Sequence, residues 1–152
     1  MSFEDLYQEI LLDHYRHPRN FCREQPKGGI CVKHENPLCG DELSLSVDLD
    51  EQQRIREICF SGSGCSISQS SASMMTEAVK GRSRSEAEDL IEKVRRMMHG
   101  ELEDPESLGD IESLQGVAKF PVRVKCALLA WMALKDALRS ADLHAEIKHE
   151  HN

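Results

Sequence analysis

An α+β fold, with a three-stranded antiparallel sheet packed against a layer of about four to five helices, follows from three features of the sequence. Leu43, Leu45, Val47 and Leu49 alternate with Ser44, Ser46 and Asp48, the period-two pattern of a strand with one face in the core. Shorter strand-like runs flank it with short joins, which favours an antiparallel meander. Helical spacing governs the rest, and 152 residues suit one domain that buries about two-thirds of its unfolded surface.

In chain order, Ser2-Phe3-Glu4-Asp5 has the form of a helix cap, and Phe3, Leu6, Tyr7, Ile10, Leu11 and His14 keep helical spacing until Pro18. His14 and His17 read as helix-end residues that favour the dipole, not as ligands. A polar connection with Pro26, Gly28 and Gly29 leads to a strand over Ile30 to His34, then to the turn Asn36-Pro37-Leu38-Cys39-Gly40-Asp41. After the second strand, Asp50-Glu51-Gln52-Gln53 turns the chain into a third over Arg54 to Phe60, with Ile58 and Phe60 inward.

Ser61-Gly62-Ser63-Gly64 reads as a flexible loop that delivers Cys65 to a helix. That helix carries Ile67, Ser71, Met74, Met75, Ala78 and Val79 on one side and stops at Gly81. The capping box Ser83-Arg84-Ser85-Glu86 opens another, whose Ala87, Leu90, Ile91, Val94, Met97 and Met98 run to Gly100. Its Met pair reads as core filling. Glu101 to Asp110 reads as an acidic surface excursion, followed by a short helical turn over Ile111 to Leu114. Pro121 stands at a first helical position, and Val122 to Leu138 is apolar enough to be central to the core. A polar tail from about residue 142, with His144, His149 and His151, reads as a frayed end.

A net charge of -8 and a pI near 5.4 argue against a nucleic-acid partner, which needs clustered Lys and Arg on one face. Apolar runs are too short to span a membrane. Met1 to Asp5 lacks the form of a signal peptide, so the reducing cytoplasm is the expected compartment. There, six cysteines point to metal or chemistry more than to a disulfide framework.

Pro37 and Gly40 bend the turn so that Cys39 and Asp41 aim at one point, although alone the motif is an ordinary turn. Cys65 and Cys126 each stand at the start of a helix-like segment, where the dipole favours a thiolate. Three thiolates and one carboxylate suit a tetrahedral metal site at one edge of the fold, for zinc or part of an iron-sulfur centre. The spacings are not the paired Cys-x-x-Cys of zinc fingers, and the alternative is a set of idle cysteines.

In four places the chain resembles the U-type iron-sulfur assembly proteins, most closely their SufU branch. Leu12-Asp13-His14-Tyr15 with His17-Pro18-Arg19-Asn20 resembles the family's first helix end. Asn36-Pro37-Leu38-Cys39-Gly40-Asp41, Gly62-Ser63-Gly64-Cys65-Ser66-Ile67-Ser68 and Phe120-Pro121-Val122-Arg123-Val124-Lys125-Cys126 match its three ligand motifs in order. The resemblance implies one U-type domain over 1–152 and metal-binding roles for Cys39, Asp41, Cys65 and Cys126. Cys22, Cys31 and Cys59 fall outside the motifs and receive no role. Lys125 stands where IscU scaffolds carry a His, and the segment from Cys65 to Cys126 is longer than theirs, the extra residues falling around His99 to Gln115, as in SufU. Lys119-Phe120-Pro121-Val122-Arg123 replaces the IscU chaperone-recognition motif.

SufU resemblance implies a zinc-dependent sulfurtransferase. It would accept persulfide sulfur on Cys39 from a pyridoxal-phosphate (PLP) cysteine desulfurase of the SufS type and deliver it to SufBCD-like cluster assembly machinery. In that family a desulfurase histidine replaces the equivalent of Cys39 on the metal. Arg123, about one helical turn before Cys126, is expected to pair with Asp41 or stabilise the released Cys39 thiolate. The alternatives are a scaffold that builds a [2Fe-2S] cluster, with iron in place of zinc, and a zinc-bound module that activates the desulfurase without carrying sulfur.

Overall fold

A computed structural model describes residues 3–24 and 28–150, with side chains over 5–24 and 28–141. Ser2, Pro26 and the side chains of His144, His149 and His151 lie outside the described residues. Helix α1 (Phe3–Arg16) precedes strands β1 (Ile30–Asn36), β2 (Asp41–Leu49) and β3 (Ile55–Ser63). Helices α2 (Ser66–Val79) and α3 (Arg84–Met98), a 3₁₀ segment (Pro105–Val117) and α4 (Pro121–Glu150) follow. The sheet has the order β1-β2-β3, antiparallel throughout, as the alternation in β2 predicts. Leu43, Leu45 and Val47 are buried on the face that the helices cover.

The third strand runs further than the sequence predicts. Ser61, Gly62 and Ser63 are strand, with Ser63 opposite Glu42 and Gly62 opposite Leu43. Their pairing is carried by the backbone, so their side chains show no apolar alternation. A Cβ at Gly62 would overlap the Glu42 carbonyl, which explains a glycine inside a strand.

Helix α2 is buried on nearly all sides, at Ser68, from Ser70 through Thr76 and at Val79, rather than on one face. It packs between α1, α4 and β3. Its serines survive burial because each hydroxyl has a partner. Ser70 Oγ donates to the Leu11 carbonyl at 2.6 Å, and Ser71 Oγ donates to the Ala127 carbonyl while accepting from Trp131 Nε1 at 2.9 Å.

His14 stands in the last turn of α1, as the sequence predicts, but its role is in the packing. It is fully buried, with Nδ1 2.8 Å from Ser73 Oγ and Nε2 3.1 Å from Asp110 Oδ2. Small Ser73 lets α1 and α2 approach closely enough for the ring to sit between them. Asp110 arrives from the 3₁₀ segment, which is more than a surface excursion. Leu108, Ile111 and Leu114 are buried in it, and Tyr7 Oη donates to Glu112 at 3.0 Å.

Cys22 and Cys59, given no role by the sequence, form a disulfide. Residues 20–22 run along the outer edge of β3, where Phe60 N donates to the Asn20 carbonyl at 3.0 Å and Cys22 N to the Phe60 carbonyl at 2.7 Å. That pairing brings the two Cα atoms to 5.2 Å, within the range a disulfide needs. The bridge closes a segment of sequence separation 37, for which loop-closure entropy gives roughly 3–4 kcal/mol of stabilisation. Cys59→Ser, or strong reductant on the native chain, is expected to lower urea stability by up to about that amount. Coincident curves for reduced and oxidised protein would contradict it.

Candidate metal centre

The site forms where the β1–β2 turn, the β3–α2 junction and α4 meet. Asn36 and Asp41 close the hairpin opposite each other, and Cys39 N donates to the Asn36 carbonyl at 3.2 Å. Asp41 is 1% exposed, and its Oδ1 accepts from Cys65 N at 2.8 Å and from Ser68 Oγ at 3.1 Å. Oδ2 lies 4.0 Å from Cys65 Sγ. Among the described residues this buried carboxylate has no cationic side chain within 4.0 Å. A buried charge held by dipoles alone is costly, and a cation beside it offsets that cost.

Ligand atoms of Cys39, Asp41 and Cys126 all lie within 4.8 Å of one another. Cys39 Sγ and Cys126 Sγ are 2.7 Å apart. Cys65 stands beside this trio rather than within it, next to both Asp41 and Cys126. No histidine belongs to the group among the described residues. The donor set, three soft sulfurs with one carboxylate oxygen, fits a tetrahedral zinc ion.

Cys126 is not at the helix start. It is the sixth residue of α4 counted from Pro121 and is fully buried. The dipole falls off within the first turn, so burial dominates and pushes the Cys126 thiol well above its ordinary range, helped by the hydrogen bond with Cys39 and by the proximity of Cys65 and Asp41. Burial thus disfavours a free Cys126 thiolate, and a cation bound beside it would offset that cost. Cys39 and Cys65 are half-buried.

Arg123 is exposed and makes no ion pair with Asp41 among the described residues. Asp41 turns its oxygens toward Cys65 and Ser68 instead. Lys125 is likewise exposed. Three residues that the sequence did not single out shape the centre. Ser68 steadies Asp41, and Asn36 places its Nδ2 3.8 Å from Cys126 Sγ. Gly64, at φ +155°, leaves room for Asp41. Each lies inside a motif already noticed for its cysteine, which was the available signal.

The family profile described as NifU-like N terminal domain matches residues 6–140. The chain belongs to the NifU-like N-terminal domain family. It is thus one of the U-type iron-sulfur cluster assembly proteins. This NifU-like chain is 44% identical over 135 residues to the zinc-dependent sulfurtransferase SufU of Bacillus subtilis, covering 88% of the chain and 90% of that relative. It is 46% identical over 136 residues to the cluster assembly scaffold protein IscU of Streptococcus pyogenes serotype M1, covering 88% and 83%. A crystal structure from Fervidobacterium islandicum AW-1, described as a proposed cluster assembly scaffold for the SUF system, superposes with a TM-score of 0.80 at 32% identity. That match covers 89% of this chain and 98% of the other.

Proposed function

We propose that this NifU-like domain is a zinc-dependent sulfurtransferase whose Cys39 accepts persulfide sulfur from a PLP-dependent cysteine desulfurase and passes it to iron-sulfur cluster assembly. The observation that carries the reading is the asymmetry of the four cysteine and aspartate groups. Asp41 and Cys126 are buried in strand and helix, and Cys65 is fixed at the head of α2. Cys39 is half-exposed on a four-residue turn between β1 and β2. Cys39, Asp41, Cys65 and Cys126 would hold the zinc, which when bound keeps its sulfur ligands deprotonated.

The transfer step needs no outside electrons. A freed Cys39 thiolate attacks the outer sulfur of the desulfurase persulfide, the partner's S–S bond breaks, and the partner's cysteine leaves as thiolate. Persulfide then resides on Cys39. Leu38, Phe120 and Val122, exposed by 69%, 52% and 52% beside this turn and the start of α4, offer the apolar surface for the desulfurase.

Metal analysis of aerobically purified protein, together with mass spectrometry after incubation with desulfurase and cysteine, tests the reading. One zinc per chain and a +32 Da adduct on Cys39, the mass of about one sulfur atom, are expected. A colourless zinc protein that never gains sulfur would overturn transfer in favour of an activating module. A brown, transferable cluster would favour the scaffold reading, which the Streptococcus relative supports.

A further inference from the structure

Of the three sulfurs at the centre, only Cys126 has a side-chain amide donor beside it among the described residues. That donor is Asn36, 7% exposed at the end of β1, with Nδ2 3.8 Å from Cys126 Sγ. An N–H aimed at a sulfur offsets negative charge on it, and the benefit grows where water is excluded. Cys126 is fully buried, so its thiolate has little other solvation. The same residue acts on a second candidate ligand. The Asn36 carbonyl accepts from Cys39 N at 3.2 Å, the one-to-four bond of a β-turn over Asn36 to Cys39.

Asn36 thus sits between the sulfur that is most enclosed and the sulfur that is carried on the turn. Its backbone is fixed by pairing with Asp41, the carboxylate of the same centre. Cys39 Sγ itself has no side-chain nitrogen or oxygen donor among the described residues.

We propose that Asn36 is a positioning residue of the metal centre, whose side-chain amide keeps Cys126 as a permanent ligand and whose carbonyl braces the turn that carries Cys39. The inference rests on the metal-centre reading above. Asn36 does not touch the Cys39 sulfur, and acts through the Cys126 sulfur and the backbone of the turn.

Asn36→Leu tests it, because leucine has nearly the shape of asparagine and no N–H, and Asn36→Ala provides a second variant with the carbonyl also retained. Three readouts are taken on folded, metal-loaded protein. Zinc affinity by chelator competition is expected to fall about 3- to 10-fold, the loss of one hydrogen bond of ordinary strength. The cobalt–thiolate charge-transfer band is expected to move to longer wavelength, since an unbonded thiolate is the better electron donor. Iodoacetamide labelling of native zinc protein is expected to reach Cys39 well before Cys126, with exposed Cys31 as internal reference. In both variants the Cys126 lag shortens.

An unchanged cobalt band with the native labelling order in both folded variants overturns the role given to Asn36. A native chain that takes up neither zinc nor cobalt overturns this inference and the function together. If the variants shift the band as expected while native Cys39 never receives sulfur, the sulfur-transfer reading fails and the role of Asn36 stands.

Discussion

Cys39→Ser is expected to abolish sulfur acceptance, with the persulfide yield at this site falling by at least about 100-fold, because a serine hydroxyl is un-ionised at neutral pH and forms no persulfide. The fold should survive. Cys39 is half-exposed on a turn, and no strand or helix depends on its side chain. Zinc should be held more weakly but not lost outright, since Asp41, Cys65 and Cys126 come from other positions on three rigid elements. The measurement is mass spectrometry of the whole chain after desulfurase treatment, alongside the rate of cysteine consumption. Exposed Cys31 must be removed in the same background, because a surface thiol picks up sulfur without any designed route. If cysteine consumption is stimulated as strongly by Cys39→Ser as by the native chain, the domain activates the desulfurase rather than carrying its product.

Strands and helices were readable where burial and periodicity coincide. β2 alternates cleanly because one face is covered by helices, and the Ser83 capping box of α3 is present in full, with Glu86 N donating to Ser83 Oγ at 3.1 Å. Reading failed where backbone or polar groups carry the packing. The end of β3 is paired through Ser61, Gly62 and Ser63, whose side chains advertise a loop. His14 looked like a helix-end residue because its partners, Ser73 and Asp110, are 59 and 96 positions away. The same distance problem hid Cys22 and Cys59. At the centre, Cys39, Asp41, Cys65 and Cys126 were visible as residue types able to bind one ion. What the sequence concealed was their inequality: Cys126 is deeply buried, Cys65 is set beside Asp41, and Arg123 is exposed with no ion pair to Asp41 among the described residues. Ionic pairing across 82 residues of chain is a guess about direction, and an exposed guanidinium is under no constraint to make it.

Gly64→Ala is expected to cost the protein at least about 100-fold in zinc affinity, roughly 3 kcal/mol, by unseating Asp41 rather than by removing a ligand. At φ +155° the backbone of Gly64 already disfavours an L side chain, and a Cβ built there overlaps Asp41 Oδ1, with Asp41 Cγ and Ser68 Oγ each 3.0 Å away. Asp41 and Ser68 are both buried, so either must shift inside the core to make room. Oδ1 is the atom that accepts from Cys65 N and Ser68 Oγ, so moving it breaks two buried hydrogen bonds at once. Gly40→Ala is the matched control. Gly40 also has a positive φ, +67°, but nothing lies within 4 Å of the Cβ it would gain. It should lose only the left-handed backbone term, about 1–2 kcal/mol of stability, with zinc affinity changed far less. Chelator competition and thermal melts on the two variants separate strain in the chain from displacement of the carboxylate. Equal zinc affinity in both would mean that the close approach of Gly64 does not seat Asp41. A large loss in Gly64→Ala alone would show that the β3–α2 junction sets the position of a ligand contributed by the first residue of β2.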